Sequence, residues 1–180
     1  MIRLFVGLQL PADVRAYLTL LRLGIRGARW QRDDQLHLTL QFIGPVDGAT
    51  AQDIDTALVA VDMPRFSLAV SGVGVFGDLH APRLLWAGVT PQDEVTRLHD
   101  KVGTQLMALG LKLEVRKYVP HITLARLSGG RQGASGARQF LESFDGAASR
   151  VFEVDRFVLF SSHPGNDGSI YRVEADYLLR

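Results

Sequence analysis

Cysteine is absent from the 180-residue sequence. That absence removes disulfides, thiol catalysis and thiolate metal ligation together, and it fits an intracellular protein. Long hydrophobic runs are missing too; nothing approaches the ~20 apolar residues of a membrane span. The opening Met1-Ile2-Arg3-Leu4-Phe5-Val6-Gly7 has too short an apolar run for a signal peptide and lacks a small-residue cleavage pattern. A cytoplasmic protein with no membrane partner is expected. Net charge is only +1, so no global field draws nucleic acid to the chain. What is present, 47% hydrophobic and 22% charged residues, describes an ordinary globular chain. Its length suits one sizeable domain, or two lobes sharing a core.

Against that plain background one stretch occurs twice. His37-Leu38-Thr39-Leu40 returns as His121-Ile122-Thr123-Leu124, a separation of 121 − 37 = 84 residues. Each copy reads as a β-strand of β-branched and apolar residues. Alternation puts His37 and Thr39 on one face, with Leu38 and Leu40 on the other; His121 and Thr123 oppose Ile122 and Leu124 in the same way. If the two copies face each other, one cleft holds two imidazoles and two hydroxyls. Around the second copy, Lys112, Arg116, Lys117, Arg126, Arg131 and Arg138 are opposed only by Glu114. A phosphate-bearing ligand would favour such a neighbourhood.

The order of elements repeats as well. Ile2 to Gln9 alternates as a strand, and Pro11 begins a helix through Val14, Tyr17, Leu18 and Leu21 that Gly24 and Gly27 close. The first motif strand runs from Leu36 to Ile43 and ends at Gly44-Pro45. Asp47 caps a helix with Ala51, Ile54, Leu58 and Val61 on its apolar stripe, and Phe66, Leu68 and Val70 alternate as the next strand. In the second half, Arg83 to Val89 is a strand, and Thr90-Pro91 opens a helix with Val95, Leu98, Val102, Leu106 and Leu109 on one side. The second motif strand covers Tyr118 to Leu127. A mobile loop is expected from Gly129 to Gly136, then a short helix at Phe140, Leu141 and Phe144. A strand over Val151 to Phe160 and a turn over Ser161 to Gly168 precede the closing strand, with Tyr171, Val173, Ala175, Tyr177 and Leu179 on one face. Repeat units of about 1–76 and 82–161, with a closing strand at 169–179, make one bilobal domain over 1–180. The expected fold is α+β: two pseudo-symmetric lobes, each a mostly antiparallel sheet with helices on its outer face, around a central cleft.

Two imidazoles flanking a phosphodiester are the minimum equipment for acid–base catalysis near neutral pH. Histidine titrates at about 6.5, so either protonation state is accessible. One ring takes the proton of an attacking water and the other supplies the departing ribose oxygen. The threonine hydroxyls can stabilise the non-bridging oxygens as charge builds. A 2′,3′-cyclic phosphate is a strained diester, and this chemistry needs neither metal nor cofactor.

The chain resembles the two-histidine (2H) phosphoesterase superfamily, whose signature is a pair of H-x-T-x motifs. It is most similar to the RNA 2′,3′-cyclic phosphodiesterases, also called 2′-5′ RNA ligases. The likeness rests on Arg29-Trp30, on His37 through Gly44, on Leu85-Trp86-Ala87-Gly88-Val89, and on Pro120 through Arg126. It implies hydrolysis of RNA 2′,3′-cyclic ends to 2′-phosphomonoesters, with His37 as proton donor, His121 as proton acceptor, and Thr39, Thr123 and Arg126 on phosphate. RNA ends or nucleotides bearing a 2′,3′-cyclic phosphate are the expected partners, and a monomer the expected state. Ligation at the same site, or a nucleotide-binding module without turnover, are the competing readings.

The remaining candidates weigh differently. Strict alternation places Arg126 opposite His121 and Thr123, and it places Phe42 on the core face. Trp30 and Trp86 read as core packing, whereas Tyr118, on the basic approach to His121, is the better base stacker. His99 lies at the border of a helical stripe. His80 and His163 lie in loops.

Overall fold

The computed structural model describes residues 1–128, 130–166 and 168–180. Its elements are β1 (Ile2–Gln9), α1 (Ala12–Leu20), β2 (Ala28–Trp30), a 3-10 turn (Asp33–Gln35), β3 (His37–Val46), α2 (Gly48–Leu58), β4 (Phe66–Asp78) and β5 (Ala81–Thr90). There follow α3 (Gln92–Ala108), β6 (His121–Leu127), α4 (Gly130–Phe144), β7 (Phe152–Val154), β8 (Arg156–Gly165) and β9 (Gly168–Leu178).

Hydrophobic alternation and turn chemistry explain most of these elements. Asp47 caps α2 by accepting the Thr50 N–H at 2.7 Å, and Ile54 and Leu58 lie buried along its inner side. Along α3 the residues Val95, Leu98, Val102 and Leu106 make a fully buried stripe, while Asp93 and Glu94 complement the dipole at its first turn.

The described strands form one antiparallel sheet in the order β7-β4-β5-β6-β3-β1-β8-β9, with β2 added beside β6. It curls into a half-barrel of two lobes that encloses a cleft. One lobe is built on β3-β1-β8-β9 and the other on β6-β5-β4-β7. They meet where Leu38 of β3 pairs with Ile122 of β6, both completely buried. The third long strand on each side crosses over: β4 follows β3 in sequence but pairs with β5, and β8 follows β6 but pairs with β1. Among the described residues no helix is long and apolar enough to cross a membrane.

Several local expectations are corrected. β3 does not stop at Gly44-Pro45 but continues to Val46. Beyond Leu38 the described neighbour in its ladder is β1, where Pro45 pairs with Arg3. The stretch expected as a loop up to Gly136 is helical from Gly130 onward, while Gly129 lies outside the described residues. The strand expected over Val151–Phe160 is divided into β7 and β8, and β8 runs on through Ser161 to Gly165. Asp167, in the expected turn, also lies outside the described residues.

A register shift between Leu159 and Phe160 reverses alternation in β9. Tyr171 and Val173 therefore leave the face of Ala175 and Tyr177. The Tyr171 ring stands edge-on to His37, whereas the Tyr177 hydroxyl reaches back to Asp55 on α2 at 2.6 Å.

Candidate active site

His37 and His121 open the two strands that meet at the lobe junction. Counting one residue outward from the Leu38–Ile122 pair, antiparallel register aligns His37 with Thr123 and Thr39 with His121. All four side chains project from the face opposite the buried Leu38 and Ile122, so the expected imidazoles and hydroxyls share one cleft.

Both imidazoles are tethered in the same manner. His37 Nδ1 lies 2.7 Å from the Gln35 carbonyl, and His121 Nδ1 lies 2.7 Å from the Val119 carbonyl, two residues upstream in each case. A carbonyl only accepts, so each Nδ1 carries the hydrogen and each Nε2 is left with its lone pair. His37 Nε2 meets the Thr39 hydroxyl at 3.1 Å. The His37 ring packs among Phe5, Phe160 and Tyr171, with centroids 4.8, 5.9 and 5.0 Å away. That of His121 stands edge-on to Phe76 at 4.8 Å and to Trp86 at 6.2 Å.

These aromatic walls set the electrostatics. Burial, with a smaller contribution from the facing His121, lowers the His37 pKa to about 4 against the pull of its Gln35 hydrogen bond. Burial also lowers His121, opposed by the Val119 carbonyl. Burial thus favours the neutral form of both rings.

The two motif strands share one irregularity that strict alternation misses. Between Val6 and Gly7 the partner on β3 jumps from Gln41 to Thr39; between Leu85 and Trp86 the partner on β6 jumps from Ala125 to Thr123. Leu40 and Leu124 are the extra residues, each followed by a second buried position, Gln41 or Ala125. A bulge of this kind returns the next side chain to the opposite face. Phe42 is consequently 52% exposed on the cleft side, not on the core face. Arg126 is exposed on the side of His121 and Thr123, not opposite them.

Tyr118 is differently placed from a free stacking platform. Its hydroxyl donates to the Thr39 carbonyl at 2.8 Å, and its ring lies 3.9 Å from the His99 imidazole, nearly parallel to it. His99 Nε2 in turn lies 3.0 Å from the buried Gln41 amide nitrogen, whose N–H donates to it. Tyr118 thus braces β3 against α3. Trp30 packs on Phe140 of α4, as core placement requires. Trp86 lies instead on the cleft side beside Phe76, and its buried indole N–H meets no acceptor among the described residues. His163 Nε2 meets the buried Ser161 hydroxyl at 2.8 Å, and Ser161 donates to Glu174. Among the described residues, no group of three or more His, Asp or Glu side chains is placed to hold a metal ion.

The family profile described as the 2′-5′ RNA ligase superfamily matches residues 11–166. The RNA 2′,3′-cyclic phosphodiesterase of Thermotoga maritima is 34% identical over 149 residues, which cover 82% of this chain and 77% of that protein. Its counterpart in Aeropyrum pernix is 33% identical over 141 residues, covering 78% and 80%. In fold, the chain is similar to E. coli LigT in complex with 3′-AMP, with a TM-score of 0.81, 23% identity, and 99% and 98% of the two chains covered. Taken with the paired H-x-T-x strands, these likenesses make the chain a member of the 2H phosphoesterase superfamily, in its RNA 2′,3′-cyclic phosphodiesterase/2′-5′ RNA ligase family.

Proposed function

We propose that this protein hydrolyses 2′,3′-cyclic phosphodiester ends of RNA to 2′-phosphomonoesters. The reading is carried by the two imidazoles, tethered alike through Nδ1, that open the strands of one cleft. Water attacks phosphorus as His121 Nε2 removes its proton. The bond from phosphorus to the 3′-oxygen breaks as His37 delivers a proton to that oxygen, leaving a 2′-phosphate and a free 3′-hydroxyl. His37 takes this proton from solvent: burial favours its neutral ring, and the phosphodiester anion bound beside it raises its pKa. Thr39 and Thr123 donate hydroxyl hydrogen bonds to the non-bridging oxygens, and Arg126, returned to the cleft by the bulge, adds a charge-assisted bond. Phe42 offers its exposed ring to the base, while Tyr118 holds the strand that carries Thr39.

Ligation uses the same groups with a 5′-hydroxyl attacking phosphorus in place of water. The deciding experiment supplies an oligoribonucleotide ending in a 2′,3′-cyclic phosphate, with and without a 5′-hydroxyl acceptor at high concentration. Hydrolysis predicts a 2′-phosphate end as the main product in both. Predominance of a 2′-5′ linkage would make the enzyme a ligase. Binding without turnover would make it a nucleotide-binding module.

A further inference from the structure

Arg29 on β2 lies directly opposite Arg126 on β6. Directly paired residues of antiparallel strands share a face, and like charges in that relation are destabilising. Both side chains are exposed, and among the described residues neither guanidinium meets an acidic side chain or a hydrogen-bond acceptor. The arrangement is well fixed. Trp30 turns to the other side, onto Phe140 of α4, and the Gln31 N–H extends the ladder by donating to the Leu124 carbonyl at 2.8 Å.

A row of paired positions connects these arginines to the catalytic cleft. Phe76 pairs with Leu84, Leu84 with Arg126, and Arg126 with Arg29, across β4, β5, β6 and β2. Phe76 touches the His121 ring, so the row lies on the cleft face. Arg126 comes three residues after Thr123, but the bulge sets them against Leu84 and Trp86, about 7 Å along the strand, within reach of its long side chain toward the reacting phosphate. Arg29 stands one strand further out, by about 4.8 Å.

We propose that Arg29, paired with Arg126, binds the phosphodiester group that precedes the reactive end. The substrate is then an RNA strand rather than a mononucleotide, and the backbone anion relieves the repulsion between the two guanidinium groups. The inference rests on the function proposed above. It adds that one face of the cleft continues onto β2 as a track for the phosphate backbone.

The test compares wild type and Arg29→Gln on two substrates, a 2′,3′-cyclic mononucleotide and a short RNA with the same end. The variant should lose about tenfold in kcat/KM on RNA, equivalent to removal of one charge-assisted contact, while its mononucleotide value moves less than about twofold. Its dependence of log kcat/KM on log salt should be shallower by about 0.7 on RNA. Equal loss on both substrates, or loss on neither, overturns the subsite. Wild-type turnover of the mononucleotide separately tests the proposed reaction. Should the wild type turn over neither substrate, the Kd for an oligonucleotide carrying a 2′-phosphate decides: weaker binding by Arg29→Gln supports the subsite, unchanged binding overturns it. Melting temperature gives an independent reading. It should hold or rise when one opposed cation is removed, and a fall overturns the repulsion argument.

Discussion

Leu38 and Ile122, the residues that follow the two motif histidines, lie opposite each other at the junction of the two lobes. Through that pair each histidine is aligned with the threonine of the other lobe. In the proposed reaction, an in-line displacement would have its attacking and departing oxygens served from different lobes, by rings whose tethers are the same.

The leaving group should tell those rings apart. A ribose alkoxide needs a proton to depart, whereas a nitrophenolate does not. With a nitrophenyl phosphodiester that binds, His37→Ala should regain much of its lost rate while His121→Ala stays slow; with a cyclic ribonucleotide both should be slow. Rescue of His121→Ala instead would exchange the donor and acceptor roles. Rescue of neither would show that both rings chiefly stabilise charge.

The hydroxyls can be tested without changing side-chain shape. Thr39→Val or Thr123→Val should each lower kcat by roughly 10- to 1,000-fold, the usual loss for one transition-state donor. Wild-type rates in both variants would assign the hydroxyls to the fold.

Stability should depend on pH through His37. Its pKa is near 6.5 in the unfolded chain and about 4 when folded. Between those values the unfolded state binds more protons, so the contribution is complete above pH 6.5 and lost as pH falls toward 4. The loss is at most about 3 kcal/mol. Urea unfolding of wild type and His37→Gln across this window should show the steeper decline in wild type. Equal slopes would mean that the ring is not held neutral by the fold.

Gly74 supports the other imidazole indirectly. A Cβ there would lie 2.1 Å from Cζ2 of Trp86, the indole packed beside His121. Gly74→Ala should cost about 1–3 kcal/mol by overpacking and slow catalysis by displacing Trp86. Unchanged melting and rate would show that the indole can move freely.

Phe42 separates function from fold. Because its ring is 52% exposed, Phe42→Ala should change stability by no more than about 0.5 kcal/mol. It should nevertheless raise KM for RNA, since stacking on a base is worth about 1–3 kcal/mol. An unaltered KM would remove Phe42 from the binding surface.

The motif residues, the antiparallel lobes and most buried stripes were legible because hydrophobic period and turn residues agree there. The faces of Phe42, Arg126, Tyr171 and Val173 were not. Each is separated by a register shift from the residues that set its expected face, and a bulge between ordinary non-glycine residues leaves the sequence looking like uninterrupted strand. The start of α4 was hidden by glycine, which disfavours helix. Its compensation is tertiary: a Cβ on Gly136 would come 2.4 Å from Cγ2 of Ile25, so glycine lets the helix pack close beside Ala137 and Phe140, both fully buried.

The crossing of β4 and β8 bears on ancestry. Each half of the chain lends its third long strand to the other half's sheet, so neither half could close a lobe alone. Two half-length polypeptides with this topology would be compelled to associate as a strand-swapped homodimer. Each would carry a single H-x-T-x strand, and only on their two-fold axis would a second histidine arrive. In this chain both histidines reach one cleft within a single polypeptide, because the two halves exchange strands.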